Sequence, residues 1–242
     1  MESELTRDAI AGSERSVTQG LADQLEHLLV ARHSCRAFLS EEVPRATIEK
    51  ILTIAQRTAS WCNSQPWQLT IVSGKALQRY RDALLEQVQS VKPEPDLPFP
   101  GEYRGVYQER RRECGFQLYE AVGVQRGDRA AGDRQRLENF RFFGAPHVAI
   151  VTTEAPLGIY GAVDCGAYVS NFMLAAQALG VGTIAQAALA AYSACAREQL
   201  EIDPDRLIVC GISFGFEDEA HPANQFRTSR AAIGDTASWL DR

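Results

Sequence analysis

The segment NFMLAAQALGVGTIAQAALAA (residues 171–191) lies within a run, 165–196, that contains no charged residue. The length of this run alone would allow a membrane-spanning helix. However, Asn171, Gln177 and Gly180 interrupt it, and no cluster of Lys or Arg flanks it to set a topology. We therefore expect a buried helix that ends near Gly180 and leads into a buried strand, and we expect no membrane span.

Helical and extended patterns alternate on both sides of this run. Strands are predicted at 67–74, 146–153, 183–188 and 206–215, and helices at 21–29, 75–91, 106–122, 129–141, 160–179 and 191–200. A further helix is predicted where Val43-Pro44 precedes Ile48, Ile51, Leu52 and Ala55. The segment KPEPDLPFPG (92–101) holds four of the ten prolines and is predicted to be an extended loop. Because the spacing between strands and helices is irregular, the pattern favours an α+β fold, with helices around one sheet, over a regular doubly wound sheet.

The composition is that of a globular chain, with 242 residues, 45% hydrophobic and 23% charged, and a net charge of -6. We expect a flexible arm at 1–20 followed by a single domain at 21–242. The acidic total argues against nucleic-acid binding, which needs a net basic surface. Six cysteines without a CxxC pair predict reduced thiols in a cytoplasmic protein. The four histidines lack metal-ligand spacing, so no metal site is expected.

Two short motifs match known fingerprints but lie in the wrong context. Residues 180–185 (GVGTIA) fit the dinucleotide-binding pattern, which requires a strand before it and a helix after it, whereas the predicted order here is reversed. Residues 211–215 (GISFG) fit a nucleophile elbow around Ser213, yet no helix is predicted to follow. We therefore interpret Gly180 as the residue that ends a helix, and we disfavour a serine hydrolase.

Three polar segments carry residue types that could bind a small charged ligand. ARHSCR (31–36) places two guanidiniums, an imidazole and a hydroxyl on one short turn, a combination that suits a phosphate monoester. ASWCNSQPW (59–67) is a donor-rich turn that Pro66 makes rigid, and NQFRTSR (224–230) sets two arginines around hydroxyls. Each segment alone also fits a structural interpretation: a capped helix end, a helix-to-strand connection or a polar tail.

In this order, the three segments resemble the FMN-dependent nitroreductase family over nearly the whole chain. RHSCRAF (32–38) is similar to the family's RRSxRxF, and ASWCNSQPW to its PSxxNxQPW, with Ala59 where the family usually has Pro. The stretch from Phe142 through CGISFG resembles the family's central helix and strands. The resemblance implies a three-layer α/β/α sandwich with a mostly antiparallel sheet, an intertwined homodimer and a variable cap at 92–141.

The resemblance also implies which residues bind FMN. The phosphate and ribityl chain would contact Arg32, Ser34, Arg36 and Arg230, with His33 and Arg227 beside them. The isoalloxazine would be approached from the other subunit by Ser60, Trp61, Cys62, Asn63 and Gln65. Its N5 would face the backbone of Gln186, Ala187 and Ala188, and its pyrimidine edge would lie near Asn139 and Arg141. No side chain is expected to act as a catalytic acid or base, because flavin N5 exchanges the hydride.

The implied activity is an FMN-dependent oxidation of NADH or NADPH, followed by reduction of a nitroaromatic or quinone acceptor in a ping-pong cycle. Nine arginines between Arg104 and Arg141 suggest an anionic acceptor such as a nitrobenzoate, bound by Arg111 and Arg112. A solvated helical surface with ion pairs is the alternative for this stretch. Reductive dehalogenation and flavin breakdown, both within the family, stay open, as does a flavin-binding redox sensor without turnover.

Overall fold

Four strands form one sheet at the centre of the structure, a computed structural model that describes residues 18–241. The strands are β1 (Gln68–Ser73), β2 (His147–Glu154), β3 (Gly182–Gln186) and β4 (Arg206–Gly215). Their order is β1-β2-β4-β3 and every pair is antiparallel, so β1 and β3 are the edges. The expected antiparallel sheet is confirmed.

The side chains of the two central strands divide between two hydrophobic cores, one on each face of the sheet. In β2, Val148 packs in the first core and Ala149 in the second, as the two-residue period of a strand requires. In β4, Ile208 faces the first core but Ile212, four residues later, faces the second. The pairing register skips Val209, and this bulge turns the rest of β4 over.

Helices cover both faces of the sheet. Within the described residues they are α1 (18–31), α2 (Arg45–Ala55), α3 (Gly74–Ser90), α4 (Gly105–Ala121), α5 (Arg129–Leu137), α6 (Gly158–Ala178) and α7 (Ser193–Leu200). Helices α3 and α7 contribute to the first core, and α2 and α6 to the second. Three layers result, which confirms the α/β/α arrangement of an α+β fold.

Gly180 lies two residues beyond Ala178, the last residue of α6, and terminates the helix, as predicted. Gly180 has a φ of 72°, its N–H donates to the carbonyl oxygen of Gln177 (3.1 Å), and the N–H of Val181 donates to that of Ala176 (2.9 Å). These two bonds form a Schellman motif, in which a left-handed residue satisfies the last carbonyls of a helix. The GVGTIA sequence is therefore a helix end that leads into β3, and not a nucleotide-binding loop.

The nucleophile-elbow match also has a structural explanation. Ser213 lies inside β4, and its side chain is fully buried. A nucleophile must stand exposed on a sharp turn between a strand and a helix. Ser213 meets neither requirement, so the serine hydrolase is excluded.

The two largest differences between predicted and observed boundaries lie at the end of α5 and at the N-terminal arm, and the other limits differ by at most two residues. The helix expected at 129–141 ends at Leu137, because the chain turns through Phe142 and Phe143, which have φ values of 59° and 53°. Of the arm predicted at 1–20, residues 18–20 are already helical, and the rest lies outside the described residues. In the described part of the chain, none of the helices has the length and apolar character that a membrane span requires.

Candidate functional site

A cavity of about 650 Å³ brings the first and third polar segments together. Its lining includes Arg32, His33, Ser34, Arg36, Arg227 and Arg230. Helices α1 and α6 contribute Leu29, Val30, Ser170 and Met173 to the same cavity. Residues from near the two ends of the chain, which the resemblance assigned to one phosphate, thus lie around one space.

The edge of the sheet positions the first of these segments. After α1 the chain runs beside β3, where Ser34 forms a parallel bridge to Thr183 and the N–H of Cys35 donates to the Thr183 carbonyl oxygen (3.0 Å). Four residues further on, Phe38 forms an antiparallel bridge to Glu217, just after β4. The loop at 32–36 is therefore held by backbone hydrogen bonds on both sides.

The side chain of Asn224 joins this loop to the C-terminal segment. Its Nδ2 donates to the carbonyl oxygens of Ala37 (2.9 Å) and Asp218 (2.9 Å), and its Oδ1 accepts from the backbone N–H of Arg36 (2.6 Å). Asn224 is only 2% exposed. Sequence reasoning gave it no role, because an asparagine in a polar tail carries no signal that it will be buried.

The cavity concentrates positive charge. Within residues 18–241, none of the ion pairs involves Arg32, Arg36, Arg227 or Arg230. Burial lowers the pKa of the Arg32 guanidinium, and the nearby charge of Arg230 lowers it further. Burial also lowers the pKa of Arg36. The Arg32 and Arg230 guanidiniums therefore repel one another, and neither forms an ion pair within residues 18–241, so a phosphate dianion would relieve that repulsion.

One carboxylate does lie beside the cavity, but it has another partner. Glu217 Oε1 is 2.8 Å from Nε2 of His33, and Nδ1 of His33 is 3.1 Å from the carbonyl oxygen of Ala31. Both side chains are mostly buried, with 15% and 22% of their side-chain surface exposed. Glu217 therefore has His33 as its hydrogen-bond partner, a pairing that the sequence did not predict.

The second polar segment forms a strained turn. Cys62, Asn63 and Gln65 all have left-handed φ values, of 49°, 57° and 48°. Ser60 supports the turn, since its Oγ accepts from the N–H of Gln65 (2.9 Å). Three non-glycine residues in this region of φ cost roughly 1–3 kcal/mol each, and such strain clusters at functional sites.

This turn does not line the arginine cavity of its own chain. The N–H of Trp61 donates to Oδ2 of Asp164 (3.1 Å), near the start of α6, and the Trp61 ring packs edge-on against Tyr160. Ser170 and Met173, which do line the cavity, lie about 9–14 Å further along the same helix. Within one chain, the turn and the arginine cavity are therefore separate.

The end of β3 meets the turn that follows α5. Gln186 is 3% exposed, and its Nε2 donates to the backbone oxygen of Asn139 (2.9 Å). Ala187 and Ala188 begin a short 3-10 helix directly after it. The Arg141 guanidinium contacts Glu138 (2.7 Å) at the surface. The structure therefore brings Asn139 to Gln186, whereas the charge of Arg141 is shared with a carboxylate.

The cap arginines face different directions. Arg111 lies over the ring of Tyr103, 5.1 Å from its centroid. Arg110 lines a second cavity of about 760 Å³, which shares Arg230 with the first, and neither Arg111 nor Arg112 lines either cavity. Helix phase explains this, because Arg110 and Cys114 are one turn apart on the face of α4 that meets the C-terminal segment.

Known proteins resemble this chain over most of its length. A model of the Nitroreductase family matches residues 29–216. Nitroreductase NfnB of Mycolicibacterium smegmatis is 36% identical over 224 residues, which cover 90% of this chain and 94% of that protein. The 4-nitrobenzoate reductase of a Nocardioides strain is 31% identical over 223 residues, which cover 90% of each.

Among solved structures, the FMN-dependent nitroreductase NfnB from Mycobacterium smegmatis, in complex with NADPH, superimposes with a TM-score of 0.87. It is 34% identical in sequence, and the match covers 91% of this chain and 99% of that one. The sheet and the helical layers described above are therefore shared over almost the entire length of both chains.

Proposed function

The chain belongs to the nitroreductase family, and on that premise we propose that it is an FMN-dependent enzyme that oxidises NADPH or NADH and reduces a nitroaromatic compound. The observation that carries the proposal is the cavity in which Arg32, Arg36, Arg227 and Arg230 meet without a carboxylate counter-ion. When bound, FMN supplies the hydride and electron transfer, and the protein supplies binding, orientation and electrostatics.

The arginine cavity would hold the phosphate. A guanidinium has five N–H donors, and the Nη1 of Arg230 already donates to the hydroxyl (2.9 Å) and carbonyl oxygen (3.1 Å) of Thr228. Those contacts orient the group and leave other donors free for phosphate oxygens. Arg32, which lies near the other end of the sequence, lines the same cavity as Arg230, and the two charges interact. The Ser34 hydroxyl would add a further donor to the phosphate.

The open edge of β3 would hold the ring system. The carbonyl oxygen of Thr183 faces Cys35, away from β4, so the peptide of Ala185, two residues on, faces the same edge. Beyond it, the backbone at 186–188 ends the strand. A backbone donor there would orient the reacting part of the flavin without adding a group that titrates.

We propose that the active form is a homodimer, in which the 59–67 turn of a second copy completes the site. The separation of this turn from the arginine cavity within one chain supports a shared site. Apolar side chains also stand exposed along α1 and α6, among them Leu21 and Leu25 on α1 and Ile159 and Val163 on α6. Such exposed apolar faces are typical of protein interfaces.

The acceptor is proposed to be a flat, electron-poor compound, either a nitroaromatic, including anionic nitrobenzoates, or a quinone. NAD(P)H and the acceptor would occupy the same place in turn, which gives ping-pong kinetics. Two relatives are named 4-nitrobenzoate reductase, which supports the anionic option. The six free cysteines support a cytoplasmic location, where thiols stay reduced.

The test is the visible spectrum of the purified protein, followed by steady-state oxidation of NADPH and NADH with 4-nitrobenzoate, nitrobenzene and a benzoquinone. We expect bound flavin and turnover with at least one nitroarene. A protein that stays colourless after incubation with FMN would contradict the proposal. Flavin that NADPH reduces, but that no acceptor reoxidises in repeated cycles, would identify a redox sensor instead.

A further inference from the structure

The buried hydroxyl of Ser213, at the centre of the GISFG motif, has its partner on another strand. Ser213 is 0% exposed, and its Oγ hydrogen-bonds to Oε1 of Gln186, at the end of β3. The Nε2 of Gln186 donates to the backbone oxygen of Asn139 (2.9 Å) and lies 3.4 Å from its Oδ1. Three segments therefore meet at one carboxamide: the last part of β4, the end of β3 and the turn after α5.

The orientation of this carboxamide is determined by its neighbours. The backbone oxygen of Asn139 can only accept a hydrogen bond, so the NH₂ of Gln186 must face it. Oε1 then faces Ser213, whose hydroxyl must donate. Because Gln186 is buried, reversing the amide would leave acceptors facing one another without water to separate them.

We propose that Ser213 and Gln186 are positioning residues, which fix the backbone at 186–188 and couple it to the turn that carries Asn139 and Arg141. The coupling is a property of the chain itself. Its effect on catalysis rests on the proposed function, because the backbone at 186–188 matters only if the flavin lies against it. The GISFG motif, which matches a nucleophile elbow in sequence, thus holds the end of β3 in place beside the proposed flavin site.

Ser213→Ala removes the donor to Gln186 and tests the coupling by amide hydrogen exchange. We expect exchange to rise about fivefold in both 184–189 and 137–141, in the protein with and without FMN, because one buried hydrogen bond is lost. Ser193→Ala is the matched control. Ser193 is 1% exposed, and its Oγ donates to the Ala190 carbonyl oxygen (2.9 Å) and accepts from the Asp96 N–H (3.3 Å). It should leave 137–141 unchanged.

The catalytic consequence is tested by the rate at which NADPH reduces the bound flavin. We expect Ser213→Ala to slow this step by at least about tenfold, because misplacement of a reacting group is costly, and to change the FMN dissociation constant by less than about threefold. Ser193→Ala should keep the wild-type rate. Gln186→Met, which removes both hydrogen bonds at similar volume, should reproduce both effects if Ser213→Ala does not fold.

The outcomes separate this inference from the proposed function. Unchanged exchange at 137–141 in Ser213→Ala or Gln186→Met overturns the coupling, whatever the flavin does. Raised exchange with an unchanged rate of flavin reduction overturns the positioning role. A wild-type protein that binds no FMN contradicts the proposed function and the positioning role together, while the exchange experiment still decides the coupling.

Discussion

The arginine cavity and the cap are both rich in arginine, but the two regions use it differently. In the cap, Arg104, Arg136 and Arg141 pair with acids two or three residues away and stand largely in solvent. In the cavity, Arg32 and Arg230 come from opposite ends of the chain and meet without a counter-ion. Convergence of like charges, more than their number in the sequence, distinguishes a candidate anion site from a solvated surface.

The two regions also differ in the hydrogen bonds and buried residues that hold them in place. The loop at 32–36 is held by backbone bonds to β3 and to the segment after β4, and by the buried Asn224. Helix α4 of the cap has no buried residue within the described chain. A substitution in the cavity should therefore change both binding and stability, whereas one in the cap should change little.

The largest expected effect comes from removing the convergent charge. Arg32→Ala combined with Arg230→Ala should weaken FMN binding by at least about 100-fold, because each guanidinium makes charge-assisted hydrogen bonds worth roughly 1.5–3 kcal/mol. Titration of the apoprotein with FMN, followed by flavin fluorescence, measures this. Arg134→Ala, on the exposed surface of α5, is the control. Wild-type affinity in the double variant would mean that the phosphate binds elsewhere.

The second-largest expected effect comes from removing the Asn224 side chain, which holds the loop at 32–36 against the C-terminal segment. Asn224→Ala leaves the N–H of Arg36 without its acceptor and removes one of the hydrogen bonds that each of the Ala37 and Asp218 carbonyl oxygens accepts. This should lower the free energy of unfolding by about 2–3 kcal/mol. Denaturant unfolding of the apoprotein measures the loss. Gln225→Ala, at the exposed neighbouring position, should be almost neutral. Equal stability of the two variants would show that Asn224 does not hold the loop.

The pH dependence of the free energy of unfolding tests the contribution of a buried histidine, His147, to stability. His147 is 3% exposed, and its Nε2 accepts from the N–H of Val43 (2.9 Å), so the ring must be neutral there. Burial lowers its pKa below the ordinary value of 6.5. The unfolded chain therefore binds the proton more readily, and the contribution of His147 is complete above pH 6.5 and lost as the pH falls.

Unfolding free energies measured between pH 7.5 and 5 should accordingly decline, and His147→Gln should reduce the slope. The glutamine can still accept from Val43 but does not titrate. A variant with the same slope as the wild type would assign the acid sensitivity to other groups. The carboxylates of the protein provide a common background that cancels in the difference between the two proteins.

The smallest expected effect lies in the cap. If Arg111 and Arg112 bind an anionic acceptor, replacing both with Ala should lower the preference for 4-nitrobenzoate over nitrobenzene by about two- to fivefold, because exposed ion pairs contribute only ~0.2–1 kcal/mol. The ratio of the two kcat/KM values measures it, with Arg134→Ala as the control. An unchanged ratio would instead favour Arg110, which lines the cavity shared with Arg230.

Local patterns were enough to predict most elements of the fold. RLIVCGISFG was predicted as a strand over 206–215 and forms β4 with those limits, because a short apolar run with turn signals at its ends has few alternatives. The bulge at Val209 was not predicted, since it depends on the register with β2. The early end of α5 was missed for a similar reason, because Phe142 adopts its left-handed φ while its side chain is fully buried in the first core.

The fold class, the termination of α6 by Gly180 and the segments that supply the arginines were predictable from residue order, because periodicity, turn chemistry and residue type act over short distances. The burial of particular polar side chains was not, since it depends on how distant segments pack. Asn224, Glu217 and the carboxamide of Gln186 acquire their partners from segments far away in the chain. A polar residue looks the same in sequence whether water or another segment satisfies its hydrogen bonds, so packing alone makes that distinction.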